Sequence, residues 1–156
     1  MDEAPWLDDE EQQAWIALVM TMHRLPDVLD RQLKRDSGMT HGEYLILAML
    51  SDAPDRMLTM TRLAQMLQYS ASRLSHTAAK LEGLGLIRRH KDPDNGRVTL
   101  ATLTDDGFST LAAAAPGHVR QVRATLFDQL TAEQVSQFRT ILQVVLAGPD
   151  LHDDYA

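Results

Sequence analysis

The chain has 156 residues, 44% of them hydrophobic and 24% charged, with a formal net charge of −7. This composition predicts a single soluble domain with its own core, and the absence of cysteine excludes disulfides, thiol redox sensing and cysteine-containing zinc sites. Apolar runs are too short to cross a membrane and the N-terminus is acidic rather than basic and apolar, which predicts no membrane partner, no secretory signal and a cytoplasmic location.

Positive charge is concentrated in the middle of the chain. Residues 57–97 carry 7 basic and 3 acidic side chains, a net +4, whereas residues 1–56 carry a net −7 and residues 98–156 a net −4. Because salt screens exposed charges beyond roughly 8 Å, a phosphate close to this segment would meet the local charge. The alternative is a chance fluctuation on a solvated surface, and the secondary structure has to decide between the two.

The first two predicted helices differ in burial. From Glu10 to about Lys34, apolar residues recur at spacings of three and four, which predicts an amphipathic helix. Thr40 and Glu43 then have the spacing of a capping box, and the helix that they begin, at about 41–52, is apolar nearly all round. We therefore expect the second helix to be central and buried.

Two short helices follow, separated by a brief break at Tyr69 and Ser70. The first is "TMTRLAQMLQ" and the second lies within "SASRLSHTAAKLEGLG", with Leu74, Ala78 and Leu81 on its inward side. This pair is typical of a helix-turn-helix. Strand-like runs at 86–91 and 97–103, joined by "DPDNG", predict a β-hairpin beside it. The arrangement is a winged helix-turn-helix, mainly α with a small β-hairpin wing.

Two more helices complete the predicted fold. Thr104 caps the first of them, which Pro116-Gly117 interrupts. Thr131 and Gln134 form a further capping box before the last helix, which has an apolar seam at Val135, Phe138, Leu142 and Val145.

The second helix of a helix-turn-helix places its outward side chains in the major groove of DNA. Here that outward set has no carboxylate before Glu82, and Arg73 has the fork of donors that reads guanine. Arg97, at the tip of the hairpin, is placed to enter the minor groove. The other basic residues of the hairpin are better placed for phosphates. Side chains alternate between the two faces of a strand, so not all of them can face the DNA. The predicted DNA-binding residues are Thr61, Ser70, Ser72, Arg73, Ser75, His76, Lys80, Arg88, Arg89, Lys91 and Arg97.

Over residues 10–147 the chain resembles the MarR family of bacterial transcriptional regulators. The family's wing pattern is an Asp, any residue, an Arg, five residues and Leu-Thr, which Arg97 and Leu103-Thr104 match. "LAQMLQYSASRLSHTAAKLEGLGLIRR" and "LTDDG" match as well. The departure is Asn95, which stands where the family has the Asp that orients the wing Arg. This implies either that Asp94 takes over or that the wing is looser.

The resemblance implies a homodimer that binds a pseudo-palindromic double-stranded DNA operator, as a repressor. Residues 10–36 and 105–147 would form the dimerisation helices, and residues 40–104 the winged DNA-binding lobe. The apolar stripes of the terminal helices agree with this, since without a partner they would be exposed patches.

The resemblance also implies a small aromatic or anionic effector that binds between the dimer helices and the winged lobe and releases DNA. Candidate lining residues are Trp15, Met22, His23, Arg24, His41 and Tyr44. The alternative is that Trp15, Met22 and Tyr44 belong to the core and that the polar residues are solvated.

Other classes of protein fit less well. A winged helix also serves as a protein–protein interaction module, and this alternative remains open. No Gly-rich phosphate loop, nucleophile elbow or metal-ligand spacing occurs, and the six histidines are far apart in sequence. We therefore expect neither an enzyme nor a metal or other cofactor.

Overall fold

The structure is a computed structural model, and it describes residues 5–149 and 151. Within them the helices and strands are α1 (Asp9–Ser37), α2 (His41–Asp52), β1 (Met57–Thr59), α3 (Met60–Leu67), α4 (Ala71–Gly83), β2 (Ile87–Lys91), β3 (Thr99–Leu103), α5 (Asp105–Thr125) and α6 (Ala132–Leu146). Short 3-10 turns occur at Pro54–Arg56 and Phe127–Gln129. The chain divides into two compact units, one up to His118 and one from Val119 onward. None of the helices in the described part is long and apolar enough to span a membrane.

Local capping signals set the helix boundaries. Thr40 accepts the Glu43 main-chain N–H at 3.1 Å while Glu43 accepts the Thr40 N–H at 3.0 Å, so the predicted capping box is confirmed. The box at Thr131 and Gln134 is confirmed in the same way. Helix α1 ends at Gly38, whose φ of 68° lies in the left-handed region that glycine adopts without strain.

The helix-turn-helix and its core are as predicted. Leu74, Ala78 and Leu81 of α4 are each 1% exposed or less, and they pack with the central helix α2 and with Leu63 of α3. Other members of this core are Leu33, Ile46, Leu47, Leu50, Ile87, Ala101 and Leu103. The core thus fixes which face of α4 points outward.

The wing is larger than predicted, because the sheet has three strands. Its order is β1-β3-β2, all antiparallel, with Met57 opposite Thr102 and Arg89 opposite Ala101. The predicted β-hairpin is confirmed as β2 and β3, but the third strand, β1, was not predicted. Three residues that run directly into a helix are too few to show a strand periodicity, and only pairing with β3 makes them a strand.

A second correction concerns α5, which runs without interruption through Pro116-Gly117. A proline removes one main-chain donor, and Pro116 is exposed, so its ring displaces no core side chain. The remaining hydrogen bonds of this 21-residue helix outweigh the loss. Pro26 likewise lies inside α1, in agreement with the predicted helix from Glu10 to about Lys34.

The start of α5 is packed tightly on the wing. Thr104 Oγ1 donates to the Gly85 carbonyl at 2.7 Å and accepts the Gly107 N–H at 3.0 Å. A Cβ at Gly107 would overlap with the Leu86 carbonyl oxygen and with a methyl of Leu103. Glycine is therefore required at residue 107 by close packing, although its backbone conformation is ordinary.

Candidate nucleic-acid interface

The outward face of α4 is free of acidic side chains over its first three turns. Ser72, Arg73, Ser75, His76 and Lys80 are all exposed, as predicted. Ser70 is the N-cap, and its hydroxyl accepts the Arg73 main-chain N–H at 3.1 Å. No acidic residue lies in the first turn, so the partial positive charge of the helix N-terminus is not offset locally. This face can receive an anion.

Arg73 is held by the residue that precedes the helix cap. Its guanidinium carbon lies 3.8 Å from the centre of the Tyr69 ring, a cation–π contact. Stacking uses the flat face of the guanidinium and leaves the N–H donors at its edge free. Arg73 is thus both exposed and oriented.

Two of the predicted DNA-binding cations form ion pairs within the protein. Lys80 Nζ forms an ion pair of 2.5 Å with Glu43, which is 4% exposed. Arg89 binds Glu82 through its main-chain N–H at 2.7 Å and through Nε and Nη2 at 3.1 and 2.9 Å. These hydrogen bonds hold the pKa of Glu82 below its usual range. Both cations are therefore tethered, and part of their charge is compensated.

Strand alternation separates the remaining basic residues of the wing. The Arg89 side chain lies on the side of the sheet that faces α4, since it reaches Glu82 there. Its neighbour Arg88 points to the opposite side, where it lines a different cavity, of about 550 Å³, with Thr102. The sheet therefore places Arg88 away from the outward face of α4.

A groove of about 650 Å³ runs between α3, α4 and the sheet. Several predicted residues come together along it, namely Thr61, Ser70, Ser75 and Arg89, with Tyr69 and Thr99. The groove thus brings together polar side chains from residues 61 to 99, with Met60, Ala64 and Leu74 as apolar parts of its lining.

The wing turn is organised by the residue that departs from the family pattern. Asn95 Oδ1 accepts the Arg97 main-chain N–H at 3.2 Å, and its carbonyl accepts the Val98 N–H at 2.9 Å. Asp94 instead donates its own N–H to Asp92 at 2.9 Å. Among the described residues no ion pair joins Arg97 to an acid, and Arg97 is exposed at the tip. Asn95 thus supports the backbone at Arg97 and not its guanidinium.

The predicted effector residues do not form one cluster. Trp15 and Met22 are each 53% exposed on α1, and His23 and Arg24 are exposed as well, so the alternative that Trp15 and Met22 belong to the core is wrong within this chain. Tyr44, in contrast, is buried.

A ring cluster joins Tyr44 and His41 to a histidine that the sequence did not single out. The ring centroids of Tyr44 and His118 are 4.3 Å apart, and those of His41 and His118 are 5.8 Å apart. His118 Nδ1 is buried with no hydrogen-bond partner in the described part of the chain. Seventy-seven positions separate His41 from His118, which is why spacing along the sequence gave no sign of this contact.

The ring cluster makes stability depend on pH. Burial lowers the pKa of both His41 and His118 from the usual 6.5, with Asp30 partly opposing this at His41 and His41 adding to it at His118. Below pH 6.5 the unfolded chain therefore binds more protons than the folded one. We expect the contribution of these two histidines to the free energy of unfolding to be constant above about pH 7 and to fall as the pH drops below 6.5.

Urea unfolding at a series of pH values checks this. His118→Phe keeps an aromatic ring in the cluster and should make the fall below pH 6.5 shallower, whereas His76→Gln on the exposed face of α4 should not. Identical profiles for the wild type and His118→Phe would show that the cluster plays no part.

Within the described residues, no group of three or more His, Asp or Glu side chains is arranged to hold a metal ion.

Comparison with known proteins places the chain among DNA-binding regulators. A model described as the MarR family matches residues 37–98. A MarR family transcriptional regulator of Streptomyces coelicolor, solved in complex with DNA, is 42% identical with a TM-score of 0.88, covering 100% of this chain and 96% of that one. The regulator AbsC of the same organism is 32% identical with a TM-score of 0.83, covering 92% and 97%. The uncharacterised HTH-type transcriptional regulator YxaD of Bacillus subtilis is 34% identical over 70% of this chain and 71% of its own.

Proposed function

The chain belongs to the MarR family of transcriptional regulators, and we propose that it is a dimeric repressor that binds a pseudo-palindromic DNA operator. The observation that carries this proposal is the outward face of α4. This face is exposed, has no acidic side chain over its first three turns, and carries Arg73, which Tyr69 orients. A similar protein, 42% identical, was solved in complex with DNA.

The proposal gives the basic residues different roles. Arg73 reads a base edge in the major groove, because its donor edge is free while its face is stacked. Arg97 enters the minor groove from the exposed wing tip. Lys91 and the hydroxyls of Thr61, Ser70, Ser72 and Ser75 bind phosphates. Arg89 supports the wing through Glu82, and Arg88 contributes little.

Exposed apolar side chains support dimerisation through residues 10–36 and 105–147. On α1, Trp15, Ile16, Leu18, Met20 and Met22 are all more than 40% exposed. On α6, described separately, Ile141, Val144, Val145 and Leu146 are 47% exposed or more. Monomers rarely expose apolar patches of this kind. A two-fold dimer would present two α4 helices to half-sites about one helical turn apart.

We further propose that a small aromatic or anionic effector releases the operator by binding beside the ring cluster. Two features of the cluster support this: the adjacent, mutually tilted rings of His41, Tyr44 and His118 can contact an aromatic ligand, and the buried Nδ1 of His118 lacks a hydrogen-bond partner among the described residues. Titration of the operator complex with a panel of aromatic acids tests it, and His118→Phe should blunt the response.

The proposal is tested by selecting bound sequences from random duplex DNA and titrating the best one at several salt concentrations. One cationic phosphate contact in each protomer of a dimer, Lys91, predicts a slope of about −1.8 in log K against log salt, and more such contacts make it steeper. Strong sequence preference with such a slope supports a regulator. A flat slope without sequence preference would favour the alternative of a protein–protein interaction module.

Asn95→Asp should tighten operator binding about two- to fivefold. A carboxylate accepts the Arg97 N–H more strongly than an amide does, and it also attracts the guanidinium, so the wing tip becomes more ordered. The measurement is a binding titration at fixed salt. Asp94→Ser is the control beside it, and weaker binding by Asn95→Asp would mean that the added charge repels phosphate more than it orders Arg97.

A further inference from the structure

Tyr69 lies between Arg73 of α4 and the first turn of α2. It occupies the turn between α3 and α4, and its ring supports the Arg73 guanidinium at 3.8 Å. The other end of the same ring approaches the first turn of α2, since a Cβ placed on Gly42 would overlap with the Tyr69 hydroxyl. One side chain therefore touches both α2 and the arginine.

The presence of glycine at residue 42 is explained by this contact. Gly42 is inside α2, where glycine is a poor helix former, and its φ is not in the left-handed region that would require glycine. The space that a methyl group would need is taken by the Tyr69 hydroxyl. The close approach of α2 and Tyr69 is thus the structural reason for glycine.

A second contact ties the same turn of α2 to the far end of α4. Glu43, next to Gly42, is 4% exposed and accepts the Thr40 N–H with one carboxylate oxygen and Lys80 Nζ with the other. The first turn of α2 therefore contacts the turn that precedes α4, at Tyr69, and the C-terminal part of α4, at Lys80.

We propose that Tyr69 is a positioning residue, which sets the direction of the Arg73 guanidinium according to the position of the first turn of α2. Stacking on the ring orders the arginine before DNA arrives, so that less side-chain freedom is lost on binding. The donor edge is then presented in one orientation, which favours one base over the others. This inference rests on the proposed function, because it assigns Arg73 the reading of a base.

The test combines two substitutions at the same contact, one that adds a methyl group and one that removes the atom it would overlap. Gly42→Ala inserts a methyl where the Tyr69 hydroxyl lies, and Tyr69→Phe removes that hydroxyl while keeping the ring. Gly83→Ala is the matched control, since a Cβ there meets nothing within 4 Å. Tyr69→Leu removes the aromatic face on which Arg73 stacks. It tests the same contact independently if Gly42→Ala fails to fold.

Two quantities are measured for each variant of the full chain. The first is the dissociation constant for the selected operator and for operators changed at each base in turn, at fixed salt. The second is the NMR ring-current shift of the Arg73 side-chain protons without DNA, which reports stacking on Tyr69 whether or not the protein binds DNA.

We expect Gly42→Ala and Tyr69→Leu to bind the operator about tenfold more weakly, to lose preference at one base pair of each half-site and to lose the ring-current shift. Tyr69→Phe and Gly83→Ala should stay within about twofold of the wild type. The double variant Gly42→Ala/Tyr69→Phe should regain both affinity and shift.

The inference is overturned if the double variant is as weak as Gly42→Ala, if affinity falls equally for all sequences, or if the ring-current shift is unchanged in Gly42→Ala and Tyr69→Leu. A wild type without sequence-specific binding defeats the proposed function, and the ring-current shifts then decide the positioning of Arg73 by themselves.

Discussion

Replacing Arg73 by alanine is expected to weaken operator binding by about 1–3 kcal/mol per half-site and to relax preference at the base pair that it reads. The guanidinium is exposed and stacked on Tyr69, and no hydrogen bond within the described residues occupies its edge, so its loss removes a directed contact as well as a charge. Titration of the operator and of its single-base variants at one salt concentration measures both effects.

Arg88→Ala is the matched control for this variant. It removes the same charge, but from the side of the sheet that faces away from α4, so we expect a change below about 0.5 kcal/mol. If Arg73→Ala instead weakens all sequences equally, Arg73 is a phosphate contact and the base reading lies elsewhere on α4. Comparable losses for both variants would mean that α4 and the two faces of the sheet do not play the roles proposed for them.

Gly107→Ala is expected to lower the free energy of unfolding by about 1–3 kcal/mol, since it overpacks a close contact. The added methyl would meet the Leu86 carbonyl oxygen and a Leu103 methyl, and main-chain atoms cannot move aside as a flexible side chain can. The start of α5 would have to shift away from the wing. Urea unfolding monitored by circular dichroism gives the change directly.

Gly83→Ala serves as the control for this effect, because the space around its Cβ is open and its backbone is helical. Alanine is the better helix former, so this variant should be as stable as the wild type or slightly more stable. Equal stability of Gly107→Ala and the wild type would show that the junction between the wing and α5 is not closely packed.

Much of the fold could be predicted because its signals are local. Capping boxes need only residues three apart, and Thr40 with Glu43 marks the start of α2 at the predicted residue. The inward positions Leu74, Ala78 and Leu81 follow from helical periodicity, and the exposed face of α4 is their complement. The strand β1 was missed because three residues are too few to show a strand periodicity. Its existence depends on pairing with β3, which lies more than forty positions later.

The chemistry of the candidate interface was only partly predictable. The sequence identifies a basic segment, but the partners of those charges come from elsewhere in the chain. Lys80 is paired with Glu43 across 37 positions, and Arg73 lies over a tyrosine whose ring also meets Gly42. A count of charges treats Arg88, Arg89 and Arg97 alike, whereas the structure gives each a different environment.

The sequence by itself therefore determined the order of the helices, the inward and outward faces of α4 and the basic character of residues 57–97, because each depends on residues a few positions apart. Only the tertiary structure decided which cations are tethered, which side of the sheet each wing residue faces, and that Tyr69 connects Gly42 with Arg73. Such contacts join residues from different elements, and they exist only once the core has fixed how those elements pack.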